Sequence, residues 1–174
     1  MTQTSTFTNT NPQVANPQAN ALADRLEQGA RALISFATDL TDAEWQTPLP
    51  KDGRKIGVIV HHVASVYPIE IQLAQTLAKG EAISGVTWAD INQMNAKHAA
   101  DQANVTKAEA LDAIRRNSAD AAVAIRALSD EQLKQAAPVS LYEDAPLTSQ
   151  FFLEDHAVRH SYHHLFLIRR ALDR

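Results

Sequence analysis

The sequence predicts an all-α fold, a four-helix bundle carrying short extra helical turns. Three observations carry that prediction. Only 5 Gly occur in 174 residues, Ala is abundant and Pro-free runs are long, a composition that favours helix over sheet. Apolar residues recur at i, i+3, i+4 and i+7 over several long stretches, as in half-buried helices. Ser or Thr followed three residues later by Glu or Gln marks several helix starts, while no alternating strand or hairpin pattern stands out.

The elements follow in order. Residues 1–16 are Thr, Asn and Gln with no basic start and no apolar core, so they predict a flexible tail rather than a signal peptide. Asn16-Pro17 predicts an N-cap with Pro at the first helical position. From there Ala21, Leu22, Leu26, Ala30, Leu33 and Ile34 carry a helix to about Leu40. Thr41 with Glu44 caps a short turn holding Trp45, and Pro48, Pro50 and Gly53 interrupt the chain. A second long helix is expected from about Arg54 to Lys79, with Pro68 inside it freeing the carbonyl of Ala64 and kinking or loosening the helix. A loop at 80–87 leads to a short helix at about 88–101. Thr106 with Glu109 opens a helix to about Leu128, Ser129 with Gln132 caps a brief turn, and 138–146 is expected to be a loop. The last helix is expected from about Thr148 to Asp173. Residues 17–174 thus predict a single domain.

Composition excludes several functions. Net charge is −4 with 21% charged residues, which argues against a nucleic-acid binder. With no Cys, disulfides, iron–sulfur clusters and a Cys nucleophile are all ruled out. No apolar run reaches the roughly 20 residues of a membrane span, so the expected location is cytoplasmic. No phosphate-binding loop and no serine-nucleophile motif stands out. Trp45 and Trp88, near helix starts, are expected to be core plugs.

The seven His residues carry most of the functional information. Four lie in the stretch 156–164, two are adjacent at His61 and His62, and the last is His98. At about 100° per residue, His160 and His164 lie about 40° apart on the last helix. They share a sector with Leu153, Ala157, Leu167, Ile168 and Ala171, whereas Arg159, Arg169 and Arg170 fall outside it. His62 shares its stripe with Ile59, Val66, Ile69 and Leu73 and also faces inward. His61 is phased outward, His163 is turned toward Arg159 and Arg170, and His156 lies nearer the polar edge. His98 is expected at the surface or beside the site. Glu70, two turns beyond His62 at similar phase, is either a group beside the site or a packed or solvated carboxylate. Buried imidazoles cost free energy unless their nitrogens are satisfied. Three inward His on two helices, two of them at i and i+4, therefore point to a metal site at His62, His160 and His164. Such a donor set suits Zn²⁺ or Ni²⁺, with Fe²⁺ or Co²⁺ as alternatives. Three protein ligands leave coordination positions open, as in catalytic rather than structural sites.

Three segments resemble the DinB/YfiT-like superfamily of bacterial metal-binding four-helix bundles. Residues 56–63, IGVIVHHV, are similar to its second-helix segment ending in a ligand His. Residues 160–165, HSYHHL, are similar to the H-x-x-x-H of its last helix. Residues 90–98, DINQMNAKH, are similar to a middle segment of some members. With the helix order, the match spans about residues 18–173. The resemblance implies a DinB-like fold with the ligands falling on His62, His160 and His164. Some members transfer groups using a low-molecular-weight thiol, and one group isomerises a thiol-conjugated substrate. Leu165-Phe166-Leu167 replaces the polar residues that usually follow the last ligand, a departure that bears on substrate chemistry more than on the metal.

The leading expectation is a metal-dependent enzyme acting on a small molecule by thiol transfer or hydrolysis, with any thiol supplied from outside. The alternatives are a noncatalytic metal- or ligand-binding bundle and a helical interaction module with incidental His. The expected assembly is a homodimer paired through an exposed apolar helix face.

Overall fold

In the computed structural model the described residues are 16–174; apart from Asn16, the expected tail lies outside them. Helices α1 (Pro17–Thr38), α2 (Asp42–Trp45), α3 (Ile56–Ala78), α4 (Trp88–Asp101), α5 (Lys107–Arg126) and α6 (Asp130–Lys134) come first. A small hairpin follows, β1 (Ala136–Val139) and β2 (Ala145–Thr148), and then α7 (Ser149–Leu153) and α8 (Arg159–Ala171). A π-helical turn, Glu154–Val158, joins α7 to α8. The chain stays right-handed helical through both junctions, so the three pieces form one rod.

The four long elements pack in the ring order α1, α5, α3, C-terminal rod. Helices α1 and α3 are thus diagonal, and α3 meets α8, which brings the two histidine-bearing segments together. The shared core is made by Leu22, Leu26 and Leu33 of α1, Ile59, Val63 and Tyr67 of α3, Ile114 and Ile125 of α5, and Phe152, Leu153 and Ile168 of the rod. Each such side chain contributes about 1.5–3 kcal/mol on burial.

The capping boxes at Thr41/Glu44, Thr106/Glu109 and Ser129/Gln132 are all present, and Thr87/Asp90 adds a fourth. Asn16 occupies the N-cap position of α1 without capping it; its Nδ2 instead donates to the Leu128 carbonyl at 2.8 Å. Helix α3 runs unbroken through Pro68. The Ala64 carbonyl, which a proline at 68 cannot bond, accepts from Asn117 Nδ2 of α5 at 2.8 Å.

Four expectations are corrected. The segment expected as a loop at 138–146 belongs to an antiparallel hairpin in which Pro138 faces Pro146. Strands of four residues carrying Pro give no alternation to read, and an isolated two-stranded ribbon tolerates Pro because few N–H groups are needed. A 3-10 turn, Ser140–Tyr142, and the left-handed Glu143 and Asp144 close the hairpin. Ile83 pins the 80–87 loop to it, donating to the Pro138 carbonyl at 3.0 Å. The last helix is not uniform, because the π turn at 154–158 fits an extra residue into one revolution. Trp45 is a core plug, but Trp88 is 57% exposed and borders a cavity rather than the core. Finally, α3 is long and apolar enough, by length and composition alone, to cross a membrane, contrary to the expectation of no such run; 67% of its most apolar stretch is buried inside the bundle. Being surrounded by α5, α4, α6 and the rod explains its apolar character.

Candidate metal centre

Helix α3 supplies His62 and α8 supplies His160 and His164. One ring nitrogen from each lies within 4.8 Å of the other two, a group able to hold a metal ion. Ring centroids are 5.2 Å apart for His62–His160, 5.5 Å for His62–His164 and 4.9 Å for His160–His164. The i, i+4 spacing on α8 sets the last pair, and the α3–α8 contact brings in His62. His62 and His164 are buried and His160 is half-buried.

The electrostatics keep His62 and His164 neutral. Burial, with the neighbouring His160 imidazole adding to it, pulls His62 down to about 3 and His164 down to about 2. Neutral imidazoles keep the lone pairs a cation requires. Two nitrogens, His160 Nε2 and His164 Nδ1, are buried without a hydrogen-bond partner among the described residues. Orphaned ring nitrogens of this kind are costly in a protein interior, and a metal ion would satisfy a nitrogen turned toward it. The residues present therefore fit a divalent transition metal.

The surroundings resolve the residues left open by the sequence. Glu70 is buried, and its Oε1 accepts a hydrogen bond from His160 Nδ1 at 2.7 Å. His61 is not turned to solvent: it is half-buried, stacked on His98 at 5.1 Å, with its Nδ1 2.9 Å from His98 Nε2. His98 also packs edge-on against His62 at 5.6 Å, so α4 closes this side of the cluster. His163 is exposed, as its phase predicts, though its ring lies 5.1 Å from that of His164. His156 stands outside the three-histidine group; it stacks on Phe152 at 4.2 Å, and its Nε2 lies 2.9 Å from the Tyr142 hydroxyl. That hydroxyl donates to Asp155 Oδ2 at 2.9 Å. A carboxylate can only accept, so His156 Nε2 carries the proton given to Tyr142. Tyr142 and Asp155 were not readable as site residues, because Tyr142 reaches the site only through the hairpin.

The three histidines face a cavity of about 280 Å³. Its apolar lining includes Val66, Ile69 and Leu73 of α3 and Trp88 and Ile91 of α4. Its polar lining includes Tyr142, Asp155, His156 and Arg159. An apolar pocket with a few converging polar groups has the make-up of a small-molecule site.

A helical bundle whose facing helices turn three imidazoles toward one point has the arrangement from which four-helix bundles build metal sites. The chain belongs to the DinB superfamily, whose family model matches residues 25–168. A solved structure of YfiT from Bacillus subtilis, described as a probable metal-dependent hydrolase with an unusual four-helix bundle topology, aligns with a TM-score of 0.63 at 17% identity. The alignment covers 93% of this chain and 88% of that one. At that identity the likeness is one of fold. No curated protein matches the chain.

Proposed function

We propose that the protein is a metal-dependent enzyme in which His62, His160 and His164 hold one divalent transition ion, and that it hydrolyses a small molecule bound in the adjoining cavity. The observation that carries this reading is the convergence of three imidazole nitrogens at the wall of a cavity, with His160 Nε2 buried and unpartnered. When bound, such an ion supplies Lewis acidity at an open position of its shell. The chain's own residues do the rest. Glu70 holds the Nδ1 proton of His160, the apolar lining excludes water from the bound molecule, and the Tyr142–Asp155–His156 group offers polar contacts. Hydrolysis is favoured over thiol transfer because the structural neighbour YfiT is described as a probable metal-dependent hydrolase. Thiol transfer requires an external thiol, as the chain has no Cys.

Elemental analysis of the purified protein tests the site. About one Zn or Ni per chain is expected, falling sharply in His62→Ala, His160→Ala and His164→Ala and little in His61→Ala. Turnover of a chromogenic ester and amide panel, with and without an added thiol, then separates hydrolase, thiol transferase and noncatalytic binder. A protein that holds metal and turns over nothing in either arm would leave only the binder.

A further inference from the structure

We infer that Glu70 is a positioning residue of the metal centre: by accepting the Nδ1–H of His160 it fixes that ring with Nε2 free for the ion. The inference rests on the three-histidine reading above and adds a role for a residue outside that group.

Three observations carry it. His160 Nδ1 lies 2.7 Å from Glu70 Oε1, and the two side chains are 18% and 9% exposed. A carboxylate oxygen accepts and does not donate, so Nδ1 is the donor of the pair and Nε2 is the ring nitrogen left for an ion. That nitrogen is buried with no partner among the described residues. The geometry is therefore set in advance of any ion: residue 70 on α3 dictates which nitrogen of residue 160 on α8 faces the centre. Metal-bound imidazoles commonly give their second N–H to a carboxylate in this way, which orients the ring and makes it a stronger donor.

A further observation is what Glu70 lacks. Its Oε2 is also buried and unpartnered among the described residues, and the ion pairs formed by Arg and Lys among those residues do not include it. A buried carboxyl group with one of its two oxygens unpartnered is poorly satisfied, so it serves the fold weakly and His160 directly. Removing the carboxylate should then weaken metal binding far more than it weakens the metal-free fold, the reverse of what a purely structural hydrogen bond would do.

The test uses full-length wild type, Glu70→Gln and Glu70→Ala, each stripped with chelator and titrated with Zn²⁺ and separately with Ni²⁺ against a competing chromophoric chelator. Thermal melts of the metal-free proteins and ¹H–¹⁵N imidazole spectra accompany the titrations. The dissociation constant is expected to rise about 10- to 100-fold in the variants, with Ala at the larger end, while metal-free melting temperatures stay close to wild type. Metal-free wild type is expected to show His160 protonated at Nδ1, a preference that Glu70→Ala loses. Should Glu70→Ala not fold, the near-isosteric Glu70→Gln must by itself weaken binding about tenfold. Wild type that binds neither ion overturns both the metal-site reading and the role of Glu70. Wild type that binds, with variants equally tight or with His160 protonated at Nε2, overturns the role of Glu70 alone.

Discussion

At Gly57, at the start of α3, a Cβ would meet the Trp45 ring at 2.4 Å. Trp45 cannot retreat, since it is buried and its Nε1 donates to the Val105 carbonyl at 3.1 Å. Gly57→Ala is therefore expected to destabilise the protein by about 1–3 kcal/mol through overpacking, measured by urea denaturation. A substitution at the other close approach, Gly29 against Tyr162 at 2.8 Å, should cost less because Tyr162 is partly exposed and can swing aside. Residues of this scale were legible in the sequence only where helical phase alone decided them. His62, His160 and His164 are such cases, since facing inward on two long helices is a local property of each helix. The hydrogen bond of Glu70 to His160 joins residues 90 apart in the chain, and the stacking of His61 on His98 depends on where α4 lands. Neither follows from the periodicity of one segment.

Among the elements, α3 holds a proline without a break because another helix completes its hydrogen bonding. Asn117→Ala should leave the Ala64 carbonyl buried and unpaired, costing about 1–3 kcal/mol. Pro68→Ala restores an N–H at the position that normally bonds that carbonyl. The double variant Pro68→Ala, Asn117→Ala should then recover most of the loss, and a double-mutant cycle of chemical denaturation midpoints reads the coupling. If the two losses simply add, Asn117 is not acting through Ala64. Helix starts were readable because capping boxes are written in four consecutive residues. The hairpin was not, because β1 and β2 owe their pairing to Ile83 and to a turn with Glu143 and Asp144 at positive φ, a conformation those residues adopt infrequently.

For the molecule as a whole, α1 and α5 are tied at the surface by Arg126, which bonds Glu27 at 2.9 Å and Asp24 at 2.6 Å. The Arg126 hydrogen bond holds the Glu27 carboxyl below its ordinary 4.5. A depressed carboxyl contributes stability that is present above its unfolded pKa and is lost as pH falls through the folded one. Arg126→Ala should thus destabilise by about 0.5–1 kcal/mol near neutrality, and the difference from wild type should shrink once pH drops below about 4. Denaturation midpoints at pH 7 and pH 3.5 check the sign. The core spans all four long elements, so chelation should preserve the helical circular dichroism signal and lower only the melting temperature. Saturating metal at a thousandfold excess over its dissociation constant would stabilise by about 4 kcal/mol; loss of helix on chelation would contradict this.

The π turn at Glu154–Val158 has a consequence for how such a chain can vary in length. A π turn holds about one residue more than the α turn it replaces, so α7 and α8 are out of step by that residue. Losing any single residue between 154 and 158 would let the rod close into unbroken α-helix, at no cost in backbone bonding. Because the π turn spends that extra residue on the same single revolution, the two halves would keep nearly the phase they have now. Phe152 and Leu153 would stay in the core with His160 and His164 still turned toward His62, whereas closing the π turn without losing a residue would turn one half against the other by about 100°. Chains with and without the extra residue would thus share both the bundle and the histidine cluster and differ by one alignment gap inside the π turn.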